Sequence, residues 1–129
     1  MLKTVFLVAA GGAVGSVCRM LASRWIQTAV GNGFPWGTMA VNVLGCFLIG
    51  LISTWATQGT SISDGMKALL TVGFCGGFTT FSTFSNESLN LLHQGHLLQS
   101  ALYAGGSVAT GVLAAAAGGW MVQCYLHNT

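Results

Sequence analysis

Charge is nearly absent from this sequence. Four Lys and Arg and two Asp and Glu are spread over 129 residues, of which 53% are hydrophobic, and the mean hydropathy is +0.70. So thin an ionic surface does not keep a chain in water. Four basic side chains cannot track a phosphate backbone either, which excludes nucleic acid as a partner. Cysteine is sparse as well: Cys18, Cys46, Cys75 and Cys124 fall one to each hydrophobic run, with no CxxC and no paired histidine. That scatter argues against a zinc site and reads as buried, inert thiols. No nucleophile, base and orienting group can be assembled from the inventory, so the chain is not read as an enzyme. The GGAVG run at 11–15 lacks the preceding strand and the GK[ST] ending of a phosphate loop.

What remains is length of hydrophobic chain. A helix crosses the hydrocarbon of a bilayer with about 20 mostly apolar residues. The expectation is an all-α integral membrane protein, residues 1–129 forming a single four-span membrane domain with spans near 4–28, 37–57, 67–93 and 97–124. No extramembrane domain is expected. The connections are GNGFPW, QGTSISDG and HQGH, which hold the turn formers and the only proline, Pro35. Lys3 precedes an apolar run too long for a signal-peptide core, so that run is read as the first span.

Lysine and arginine collect on the cytoplasmic side and thereby orient a membrane chain. Here the tally nearly cancels, with Lys3 and Lys67 on one side and Arg24 on the other. Two readings are open: a weakly oriented monomer, or a chain that inserts both ways and pairs with an inverted copy of itself. Small residues recur four apart at Gly11 and Gly15, Cys46 and Gly50, Ser107 and Gly111, and Ala114 and Gly118. Close helix packing is their ordinary meaning in lipid.

Polar groups inside the spans say more. An arginine at a helix centre costs about 2.5–3.5 kcal/mol even on lenient insertion scales. Arg19 therefore either snorkels to the interface or serves a site. Asn42 either hydrogen-bonds a neighbouring helix or lines a path. Glu87, the one acid inside a span, is either an interface residue or part of an ion route.

The stretch GFCGGFTTFSTFSNES at 73–88 concentrates glycine, phenylalanine and hydroxyls. Gly73, Gly76 and Gly77 predict a helix broken near the middle of the third span, which is tolerated only inside protein or beside a water-filled cavity. The first half-helix would offer carbonyls to a cation and the second would offer amides to an anion. Phe78, Phe81 and Phe84 repeat every three residues and so are expected along one face, with Ser82, Thr83 and Ser85 beside them. Such a stripe is ordinarily packing. A phenyl ring has a positive edge, however, and ring edges with hydroxyl and amide donors suit a small, hard anion.

Three segments resemble one known family, the Fluc (CrcB) fluoride channels: GGAVGSVCR at 11–19, GTMAVNVLG at 37–45 and GFCGGFTTFSTFS at 73–85. The resemblance covers essentially the whole chain, and the TTFSTFS run is its most specific part. Met20 departs from it, since an aromatic residue often follows the arginine in the family. The resemblance implies an antiparallel, dual-topology homodimer in the bacterial inner membrane that exports cytoplasmic fluoride passively. Two pores per dimer and a central structural sodium ion are implied with it. By position, Phe81 and Phe84 match the pore phenylalanines, and Asn42 and Arg19 match groups of an electropositive vestibule. Ser82 and Thr83 match vestibule hydroxyls, and Thr38 and Glu87 match pathway positions. Tyr103 and Ser107 match a polar track whose next position falls on Gly111, which has no hydroxyl. Gly76 and Thr79 match positions whose backbone carbonyls hold the sodium. The competing reading is a small proton-coupled exporter of the four-span antiparallel type. Those exporters carry an acid in the first span, where this chain has Arg19.

Overall fold

The computed structural model describes residues 1–31, 33–59 and 62–128. Asn32, Thr60 and Ser61, expected in the connections, lie outside the described residues. Helix α1 spans Leu2–Val30 and α2 spans Trp36–Gln58. The third span begins as α3, Asp64–Ala68, and widens into a π-helical stretch at Leu69–Cys75. It resumes as α4, Gly76–Phe78, and after two extended residues continues as α5, Phe81–His93. Helix α6, Leu97–His127, completes the chain. No strand occurs among the described residues, and four helical segments are long and apolar enough to cross a membrane.

The ends of these helices follow from local chemistry. Gly31 closes α1 in the left-handed conformation at φ 69°, and its amide donates to the Gln27 carbonyl at 2.9 Å, an arrangement that suits glycine. Gln27 then ties α1 to α2: its side-chain amide donates to the Phe34 carbonyl, and its side-chain oxygen accepts from the Gly37 amide. Ser63 caps α3 by accepting from the Met66 amide at 3.2 Å. Gly95, at φ 82°, turns the chain from α5 into α6.

Glycine brings the first and third spans into backbone contact. A Cβ at Gly11 would land on the Leu69 carbonyl, and one at Gly15 would land on the Phe74 carbonyl. From the other side, a Cβ at Gly73 would meet the Val8 carbonyl at 2.9 Å and one at Gly77 the Gly12 carbonyl at 2.6 Å. Two small-residue faces, each spaced four apart, are thus pressed together. Contacts advance in the same direction along both segments, so α1 and the third span run parallel. Lys3 and Lys67 consequently lie at one end of the bundle and Arg24 toward the other. Helices α2 and α6 form a second parallel pair, with Gly50 against Ala115 and Thr54 against Gly119.

The buried apolar core of the single chain is small: Val41, Cys75, Phe78, Leu91, Tyr103 and Val122. Large apolar side chains cover the outside, among them Phe6, Trp25, Leu98, Val112 and Trp120. Such a surface belongs in lipid or against another chain.

Candidate functional site

The interruption of the third span organises the site. Thr79 (φ −96°, ψ 158°) and Thr80 (φ −148°, ψ 121°) are both extended, and they lie beyond the glycines that predicted the break. The glycines do not cause it: Gly76 keeps helical dihedrals at φ −62°, ψ −38°, while Gly73 and Gly77 pack against α1. The interruption falls instead on two β-branched residues whose backbone is satisfied by side chains. Such satisfaction is compulsory at membrane depth, because no solvent is there to replace it.

Asn42 supplies most of it. Its side-chain oxygen accepts from the Thr80 amide at 2.8 Å, and its amide nitrogen donates to the Thr80 carbonyl at 3.1 Å. One asparagine thus pairs both polar groups of an extended residue, as a neighbouring strand would. Arg19 holds the other flank, its Nε donating to the Gly77 carbonyl at 3.0 Å. Arg19 thereby contacts the turn just before the break. The Thr79 amide and hydroxyl both donate to the Cys75 carbonyl, at 3.0 and 2.9 Å. The Thr80 hydroxyl caps α5 by accepting from the Thr83 amide at 3.2 Å, and lies 3.4 Å from the Ser82 hydroxyl.

A cleft of about 400 Å³ lies beside the break. Six of the residues expected at a site line it: Asn42, Gly76, Thr79, Phe81, Phe84 and Ser107. Gly45, Cys46, Ile49, Thr71, Cys75, Thr80 and Val108 complete the wall. The Phe81 ring is 79% exposed and leaves this side of the cleft unclosed by the chain's own atoms. Phe84 is half-buried, with its ring centroid 5.8 Å from that of Phe81 and 5.0 Å from that of Tyr103. Phe78 does not join them. It is buried and stacks on Phe74 with centroids 5.7 Å apart. The two extended residues reset the helical phase, so the expected stripe of three rings is a pair.

The remaining expected residues lie around this cleft without lining it. Tyr103 is fully buried behind Phe84 and donates to Glu87 Oε1 at 3.3 Å. Thr38, on α2, is also buried. Glu87 also faces a second, more polar cavity of about 270 Å³ near the α1–α2 connection, shared with Gln27, Asn90 and Gln94. Ser82 is exposed and Thr83 half-buried on the first turn of α5. Ser107 is distinctive, because its hydroxyl oxygen is buried without a hydrogen-bond partner.

Two groups went unforeseen. Thr80 is the residue that Asn42 holds and that starts α5, and the T-x-x-T spacing of Thr80 and Thr83 at a helix start was its signal. Cys46 and Cys75, read from their scatter as inert, are both on the cleft wall.

The arrangement can receive a small ion. It combines amide, hydroxyl and aromatic-edge surfaces with the facing ends of two half-helices, and a guanidinium stands immediately behind. Residues 6–119 match the family described as CrcB-like protein, Camphor Resistance (CrcB). Similar proteins include one from Phocaeicola vulgatus named fluoride-specific ion channel FluC, 48% identical over 95% of this chain and 100% of its own length. Proteins of the same name from Chlorobaculum tepidum and from Leptospira interrogans serovar copenhageni are 50% and 43% identical. They align with 86% and 94% of this chain and 87% and 95% of their own lengths.

Proposed function

The chain belongs to the CrcB-like family, and on that premise we propose that it is a fluoride-selective channel of the bacterial inner membrane. Fluoride leaves the cytoplasm down its gradient, without chemical transformation. The observation that carries this reading is the cleft at the broken span, where Asn42 fixes the extended backbone beside Phe81, Phe84 and Ser107.

Fluoride is small and strongly hydrated, so a path must replace the water it sheds. Ring edges of Phe81 and Phe84 offer positive hydrogens while their bulk keeps water out. The Ser107 hydroxyl and the first amides of α5 offer conventional donors, and Ser82, Thr83, Thr38, Tyr103 and Glu87 border the approaches. Arg19 raises the local potential without entering the cleft, which attracts an anion but does not trap it. In this reading a second copy of the chain, inserted in the opposite orientation, covers the exposed Phe81 ring, and the symmetric pair encloses two pores. The balance of Lys3 and Lys67 against Arg24 supports insertion in both directions. Labelling a terminus from each side of the membrane tests that pairing, and a single orientation would contradict it.

The chemistry at the break also fits a sodium ion. The first half-helix ends there and directs carbonyls outward, the oxygen donors that a hard cation takes. A Cβ at Gly76 would have no neighbour closer than the Thr71 carbonyl at 3.8 Å, so its backbone faces open space. Carbonyls of Gly76 and Thr79 would hold the ion, which supplies fixed positive charge when bound.

Fluoride efflux from liposomes, normalised to folded protein, tests the reading. Phe81→Ile and Phe84→Ile should each lower flux steeply, since an aliphatic side chain keeps bulk but loses the positive edge. Phe74→Ile, on the far side of the break, should not. Equal flux in all three variants would return both rings to packing. Efflux that requires an imposed proton gradient would favour a proton-coupled exporter.

A further inference from the structure

Helices α2 and α6 supply six of the thirteen residues of the cleft wall, and their facing residues recur with one period. Thr38, Asn42 and Cys46 follow each other four apart on α2, and Tyr103, Ser107 and Gly111 do so on α6, so each trio shares a face. The register between them is set by contacts. A Cβ at Gly106 would lie 3.5 Å from the Met39 methyl, and farther along a Cβ at Gly50 would strike Ala115. Between these points Asn42 and Ser107 line the same cleft. A Cβ at Gly111 would lie 3.3 Å from the Cys46 sulfur. The two helices therefore face each other as three rungs, Thr38 with Tyr103, Asn42 with Ser107 and Cys46 with Gly111.

The third rung differs from the others. Gly111 is buried and brings no side chain, and the half-buried Cys46 sulfur lies so close that a Cβ there would crowd it. One turn before it, the Ser107 oxygen is buried with no partner. Such a group is costly unless something bound satisfies it. A free cysteine among apolar neighbours acts as a small hydrophobe. This one lines a cleft that already presents an unsatisfied hydroxyl, and a thiol can donate a weak hydrogen bond.

We propose that Cys46, set over the side-chain-free Gly111, forms the innermost rung of the anion path and sets its width and donor strength there. The proposal rests on the channel reading above and extends it to a specificity-determining residue. An ion passing Ser107 meets the Cys46 S–H next, from the α2 side, because α6 has nothing to offer at that level. Thiol and glycine form a unit: a hydroxyl on α6 would crowd the sulfur.

The test is fluoride efflux per folded protein for wild type, Cys46→Ala and Cys46→Ala/Gly111→Ser. Removing the thiol should lower flux about ten-fold, the barrier change expected from one hydrogen bond to a charged group. Adding Gly111→Ser returns a donor from the opposite wall and should recover most of the loss. A packing role would lower thermal stability in Cys46→Ala, leave flux per folded protein unchanged, and give no recovery. Mercuric ion supplies a second measurement, which does not require the alanine variant to fold. Cys75 lines the same cleft, so Cys75→Ser is the background: it should be blocked, and Cys46→Ser/Cys75→Ser should be resistant relative to its own untreated flux. Unchanged flux in folded Cys46→Ala overturns the proposal, as does a Cys75→Ser protein that conducts but ignores mercuric ion, or block that persists in Cys46→Ser/Cys75→Ser. A wild type that carries no fluoride defeats the channel reading itself and this extension with it.

Discussion

The two halves of the third span are similarly rich in small residues and differ in what those residues do. In the first half, through Phe78, glycines press backbone against backbone: Gly73 and Gly77 sit on α1 between Val8 and Ser16. In the second half, from Phe81 onward, contact with the rest of the chain runs through side chains. Phe84 packs on Tyr103, and the Ser88 carbonyl accepts from the Ser100 hydroxyl at 3.0 Å. Phe81 is largely exposed, with a ring contact to Phe84 of its own helix. The first half is anchored by absence of side chains and the second is positioned by their chemistry. The join between them is governed by Asn42 and Thr80, not by glycine.

The sharpest way to break this contrast is at the join. Asn42→Leu leaves the Thr80 amide and carbonyl without partners. Two unsatisfied buried groups cost about 2–6 kcal/mol together, so folded protein recovered in detergent should fall severely. Asn42→Asp keeps the acceptor and loses the donor, and should lose a smaller part. Equal thermal stability of Asn42→Leu and wild type would show that the break is held by something else.

Next in size is the anchored half. Gly15→Val forces a Cβ onto the Phe74 carbonyl, and overpacking of this kind costs about 1–3 kcal/mol. Thermal unfolding should register that loss, while flux per folded protein stays near wild type. Gly76→Ala sharpens the comparison within the same run, because its nearest neighbour is 3.8 Å away. It should unfold close to the wild-type temperature. A destabilisation of Gly76→Ala as large as that of Gly15→Val would contradict the division of roles between the glycines.

The smallest effect belongs to the start of the positioned half. Thr80→Ala removes the acceptor for the Thr83 amide, a cap worth about 1 kcal/mol. Hydrogen exchange at the first turn of α5 should quicken, with α1 and α6 unaffected. Unchanged protection at Thr83 would mean that the cap contributes nothing there.

Much of this was legible from residue types alone. Hydropathy and the lack of charge were sufficient for four membrane helices, since burial in lipid leaves little choice. Arg19 and Asn42 stood out because polar groups at that depth need partners. The break falls near the middle of the third span, as expected, but on Thr79 and Thr80 and not on the glycines, since glycine's weak helix preference is outweighed by close packing on α1, which holds Gly73 and Gly77 helical. Thr80 and Thr83 carried a capping signal hidden among six hydroxyls. Phe78 was assigned to the wrong face because a period of three holds only while the helix continues. The face-to-face placement of Cys46 and Gly111 depends on the register between two distant helices, which no local pattern encodes.

The π-helical stretch at Leu69–Cys75 acts on the span as a phase adjuster. Each wide turn takes in roughly one residue more than an α-turn, so everything after Cys75 is rotated relative to an uninterrupted α-helix. Because of that rotation Gly77 faces Gly12 while neighbouring Gly76 faces the cleft. Register along the rest of the span therefore depends on the length of this stretch: deleting one residue from it would tighten the coil and turn Gly77 away from α1.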